Sequence, residues 1–112
     1  MNVHTYETAG GKDLILEYIS GLSKPEIIDG LTVLENFEND DFDKLNKKQW
    51  RGKVWEVYFY KNNRIFYVAI DDIDVYMLHA CRKQKNKTEK VDKEIVIKRA
   101  KELENILSKK IL

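Results

Sequence analysis

The chain of 112 residues has one cysteine, one proline and two histidines. Cys81 therefore has no partner for an internal disulfide, and no histidine at motif spacing makes it a thiol nucleophile. The two histidines and the cysteine lack any metal-ligand spacing, and Gly10-Gly11 stands without the rest of a nucleotide fingerprint. Neither a metal nor a cofactor is expected. With five glycines the chain has no low-complexity tract. No apolar run approaches the roughly 20 residues that span a bilayer, and the N-terminus lacks the pattern of a signal peptide. A cytoplasmic protein with no membrane partner is expected. Net charge is only +1, so the whole molecule is not a generic polyanion binder, and any nucleic-acid role rests on how charge is distributed.

What is present fits one domain, residues 1–112, large enough to bury about two thirds of its unfolded surface. Residues 3 to 8 alternate as a short strand. From Lys12 to Leu22, Leu14, Ile15, Tyr18, Ile19 and Leu22 recur at helical spacing. Ser23-Lys24-Pro25-Glu26 starts a second helix with a capping-box pattern and a first-turn proline, and the short link predicts an antiparallel helical hairpin. The polar segment Phe42 to Lys53 reads as a loop with one turn of helix. Val54 to Lys61, Arg64 to Asp71 and Asp74 to Arg82 are strand-like runs in a meander, and Asp92 to Lys109 is a terminal helix. The order predicts an α+β fold: a mainly antiparallel sheet with an N-terminal helical hairpin on one face and a C-terminal helix, the helices gathered on one face.

Charge is uneven. Residues 35 to 43 are acidic, whereas Lys44, Lys47, Lys48, Arg51 and Lys53 form one basic block and Arg82 to Lys90 another. Arg64 opens a central strand after a hairpin, where it either pairs with Glu56 across the hairpin or, with Arg82 and Lys83, faces one concavity able to hold phosphate. His79, inside an apolar strand, reads as a structural histidine. Tyrosines 58, 60, 67 and 76 are core or sheet residues unless they face the cations, where they would stack on bases.

Trp50-Arg51-Gly52-Lys53-Val54-Trp55-Glu56-Val57, then Asn63-Arg64-Ile65-Phe66-Tyr67, then Leu78-His79-Ala80-Cys81-Arg82-Lys83-Gln84-Lys85-Asn86-Lys87-Thr88, with Ala100 in the last helix, together resemble the RelE/ParE superfamily of type II toxins. Within it the sequence looks like the HigB branch, also labelled phage-derived Gp49-like proteins. Tyr58, Cys81 and Gln84 depart from its pattern. The resemblance implies a metal-independent, ribosome-dependent mRNA endonuclease neutralised by a HigA-like helix-turn-helix antitoxin, which alone touches operator DNA. A ParE-like gyrase inhibitor and a non-catalytic interaction module are the alternatives. By correspondence Arg64 is a phosphate clamp, Arg82 and Lys83 stabilise the transition state, and Lys48 or Lys87 positions groups or moves a proton. Lys85, Lys53 and Arg51 are expected to attract RNA, and Tyr67 to stack on it.

Overall fold

The computed structural model describes residues 1–83 and 88–112. At its centre, strand β4 (Asn63–Ala69) is buried from Asn63 to Val68. A strand buried on both sides must send alternate side chains into two separate cores. The others are β1 (Asn2–Thr5), β2 (Asn46–Arg51), β3 (Val54–Phe59) and β5 (Asp74–Arg82), in the sheet order β1-β5-β4-β3-β2. All neighbours are antiparallel except β1, which runs parallel to β5.

One face carries Val57, Phe59, Ile65, Tyr67 and Met77, covered by α1 (Leu14–Ser20) and α2 (Lys24–Glu38) through Ile15, Ile19, Val33, Leu34 and Phe37. The other carries Val54, Phe66, Val68, Leu78 and Cys81 under α3 (Lys90–Leu107), which contributes Val96, Ala100 and Leu103. Each fully buried aliphatic side chain in these layers contributes about 1.5–3 kcal/mol. The helix starts are set locally. The Asp13 carboxylate accepts the N–H groups of Ile15 and Leu16 at 3.0 and 2.9 Å to cap α1. In α2 Pro25 sits in the first turn, but the Ser23 hydroxyl donates to the Glu26 carboxylate at 2.7 Å instead of capping the backbone.

Three expectations are corrected. The N-terminal element is strand β1, not a helical hairpin: α1 and α2 come after a strand that closes one edge of the sheet. The helices do not share a face, because two-sided burial of β4 requires α3 opposite α1 and α2. The segment after Phe42 is a 3-10 turn at Phe42–Lys44 followed by an edge strand, β2, that pairs with β3 through its backbone although most of its side chains are exposed.

Two irregularities shape the α3 side. Phe66 pairs with His79 but Tyr67 with Met77, so Leu78 is an extra residue. This bulge turns both Leu78 and His79 toward α3. At the turn between β2 and β3, Gly52 has φ +56° and Lys53 donates its N–H to the Ile111 carbonyl at 2.7 Å. The Glu104 carboxylate accepts from Ile111 and Leu112 at 2.7 and 2.9 Å, which fastens this last segment with Ile111 buried.

A Cβ on Gly52 would lie 2.5 Å from the Ile111 oxygen and occupy a left-handed backbone. Gly52→Ala is therefore expected to cost about 1–3 kcal/mol in urea denaturation. Gly10→Ala is the control, since its added Cβ would meet nothing closer than 3.9 Å.

Candidate functional site

Strand register assembles the chemistry-bearing residues of the α3 face in two adjacent rows. The first runs Asn46, Tyr58, Arg64, Cys81 across β2, β3, β4 and β5, and the second runs Lys48, Glu56, Phe66, His79. Lys83, just past β5, reaches back over the first row: its ammonium lies 3.4 Å from the Tyr58 hydroxyl and 5.1 Å from the ring centroid. Three expected residues, Arg64, Lys83 and Lys48, thus share one face. Glu56, read from the sequence as a cross-hairpin partner, and Tyr58, read as a sheet residue or a base-stacking one, stand between them.

Arg64 is 1% exposed. Its Nη1 donates to Glu56 Oε1 at 3.4 Å, which bears out the cross-hairpin pair, and its guanidinium stacks over Phe66 at 5.0 Å. Its Nε and Nη2 are buried with no hydrogen-bond partner among the described residues. Burial alone would lower its pKa, but the Cys81 thiol and the Glu56 carboxylate raise it further, so the cation persists. The same Glu56 oxygen accepts the Tyr58 hydroxyl in a short hydrogen bond. Burial, with Glu56 beside it, pushes Tyr58 up to about 12. Burial pushes the Cys81 thiol up to about 11 against the pull of Arg64, which leaves it protonated and a poor nucleophile at neutral pH.

His79, Cys81 and Asp92 bring a ring nitrogen, a thiol and a carboxylate within 4.8 Å of one another. The ring is already engaged on both sides, with Nε2 2.8 Å from Asp92 and Nδ1 3.5 Å from the Arg99 guanidinium. Arginine only donates, so Nδ1 is the acceptor and Nε2 carries the proton given to Asp92. That tautomer offers no lone pair to a cation, and burial with Arg99 and Arg64 nearby keeps the ring neutral against Asp92. His79 pins the start of α3 to β5, the structural role its apolar strand suggested.

The comparison with protein families places this arrangement. Residues 17–101 match the family described as Phage derived protein Gp49-like. The chain belongs to this family. It is a toxin family of the RelE/ParE type, associated with toxin–antitoxin systems and typically paired with an antitoxin. No curated protein matches the chain. The matched span of the Gp49-like protein runs from within α1 into α3, so it includes both rows of the site.

Other expected site residues of the Gp49-like chain lie elsewhere. Arg82 pairs in register with Asn63 and points to the α2 side, where it donates to Glu26 at 2.8 Å and to the Lys61 carbonyl at 2.8 Å. It does not share a concavity with Arg64, because the two stand on opposite faces of the sheet. Tyr67 is three residues from Arg64, hence also on the opposite face; it is buried edge-on against Phe37 at 4.8 Å and cannot stack on RNA at the Arg64 site. Lys53 lines a groove of about 670 Å³ on that face with Phe42, Trp55 and Tyr67. Arg51 is exposed at the end of β2, and Lys85 and Lys87 fall outside the described residues. Among the described residues no helix is long and apolar enough to cross a membrane.

Around Glu26, Asn63 donates at 2.6 Å, Ser23 at 2.7 Å and Arg82 at 2.8 Å, while Tyr18 donates to Asn63 at 2.5 Å. These donors hold Glu26 at about 2, below its ordinary 4.5. A carboxylate depressed in the folded state stabilises it above the unfolded value. That contribution is present above pH 4.5 and is lost as pH falls toward 2. Acid titration of thermal stability is expected to show this limb, flattened in Glu26→Gln. Arg82→Ala should lower the melting temperature by about 5 °C in a thermal melt, with the sheet retained by circular dichroism.

Proposed function

We propose that this Gp49-like protein is a HigB-like toxin that cleaves mRNA on the ribosome and is neutralised by a HigA-like helix-turn-helix antitoxin. The observation that supports this reading most is Arg64: a permanent cation with two buried donors unpartnered among the described residues. Buried donors in want of acceptors fit a planar oxyanion such as phosphate, which a guanidinium grips through two parallel bonds. Lys83 and the exposed Lys48 add mobile positive charge on the same face. Because Arg64 is 1% exposed, phosphate reaches its guanidinium only through a local opening of the surrounding side chains.

In this mechanism the RNA 2'-hydroxyl attacks the neighbouring phosphate, Arg64 and Lys83 stabilise the charge that builds on the phosphorane, and the ribosome aligns the strand. The ribosome-bound mRNA is the substrate, and Lys48, opposite Glu56 on the edge strand, guides its backbone. Lys87 and Lys85 extend the same role in the basic segment. Arg51 and Lys53, at the exposed turn between β2 and β3, serve as outlying RNA contacts.

Induced expression with and without the antitoxin, with new 5' ends mapped on transcripts and gyrase supercoiling assayed in parallel, tests this. Cleavage inside translated frames is expected, falling at least about 100-fold in Arg64→Lys, which keeps the charge but loses the fork. Growth arrest with intact mRNA and blocked supercoiling would assign the protein to gyrase instead. No arrest at all would leave an interaction module.

A further inference from the structure

The Glu56 carboxylate is 4% exposed, so RNA cannot touch it, yet it accepts from two donors that frame the clamp. One is Arg64, and the other is the Tyr58 hydroxyl. Tyr58 is only half buried, and its oxygen faces Lys83 at 3.4 Å. The result is a directed chain, Lys83 N–H to Tyr58 O and Tyr58 O–H to Glu56, laid across β3 beside Arg64. Of its members Tyr58 is the one that both meets solvent and touches a buried proton acceptor. The first-row register sets Tyr58 directly opposite Arg64, next to any phosphate the guanidinium holds.

We propose that Tyr58 is a catalytic residue of this site and relays the proton of the RNA 2'-hydroxyl to Glu56. The inference rests on the nuclease reading above and names the base that reading leaves open. As the 2'-oxygen bonds to phosphorus, its proton passes to the phenol oxygen while the phenol's own proton passes to Glu56. The bond from phosphorus to the 5'-oxygen then breaks, and Lys83 gives that oxygen a proton. The products are a 2',3'-cyclic phosphate and a 5'-hydroxyl, with Glu56 protonated and Lys83 neutral. The same hydrogen-bond chain, run from Glu56 through Tyr58 to Lys83, restores both groups, so the cycle closes without an outside base. A phenol held up to about 12 does not rest as phenolate at neutral pH, which requires the two proton movements to be concerted.

The test uses the full chain and ribosomes programmed with a defined mRNA, in single-turnover reactions. Tyr58→Phe keeps the ring beneath Lys83 and removes only the hydroxyl. It is expected to slow cleavage by about 100-fold or more, with unchanged ribosome binding and the fold retained by circular dichroism. A bridging sulfur in place of the 5'-oxygen needs no proton on leaving. That substrate should restore the rate of Lys83→Ala and leave Tyr58→Phe slow, which separates the two ends of the relay. Glu56→Gln should be as slow as Tyr58→Phe, and the double variant no slower than either, because one proton path is removed only once. A ring-fluorinated tyrosine at position 58 keeps the fold and should shift the pH profile of the rate with the acidity of the phenol. If the wild type cleaves and Tyr58→Phe cleaves equally fast, or the sulfur substrate rescues it, the relay is wrong and the nuclease reading survives. If the wild type cuts no mRNA, both are overturned.

Discussion

Everything in this molecule turns on two consecutive residues of its central strand. Asn63 and Arg64 are both polar and both essentially fully buried, and the pleat sends them to opposite faces. Asn63 meets Glu26 and Tyr18 and so keys α1 and α2 to the sheet. Arg64 meets Glu56 and organises the face beneath α3. A slip of one residue would exchange the two, leaving a guanidinium against the aliphatic floor of α1 and α2 and an amide beside Glu56. Register in this sheet is therefore specified by polar matching as well as by hydrophobic pattern.

The two faces treat a buried carboxylate differently. Glu26 has three side-chain donors, one just before its own helix and two from strands, and is a closed structural knot. Glu56 shares one oxygen between Arg64 and Tyr58, and Arg64 keeps two donors without partners among the described residues. Each unpartnered buried donor costs about 1–3 kcal/mol. The α1 and α2 face thus closes its carboxylate completely, whereas the α3 face keeps donors unmatched among the described residues.

The strands β3, β4 and β5 were legible because β-branched and aromatic runs advertise themselves, and α3 because Val96, Ala100 and Leu103 keep helical spacing. Strand β2 was not, since Asn46-Lys47-Lys48-Gln49 presents polar side chains on both sides; backbone pairing with β3, which no side-chain pattern reports, makes it a strand. Within one strand, face could be counted: Glu56 and Tyr58 are two apart and must agree, Arg64 and Tyr67 three apart and must differ. Between strands it could not. Arg82 needed the register and the Leu78 bulge before its side was fixed, and the apolar stripe of α3 does not say which face of the sheet it covers. His79 was read correctly because an apolar strand surrounds it.

The parallel pairing of β1 with β5 joins Asn2 to Asp74. Both helices and three other strands lie between the two in sequence, so β1 has its neighbour in the sheet only once they have been made. The sheet acquires its outer edge only after Lys48, Glu56, Tyr58 and Arg64 have been made. Assembly of the two site rows and closure of the fold are in this way nearly the same event.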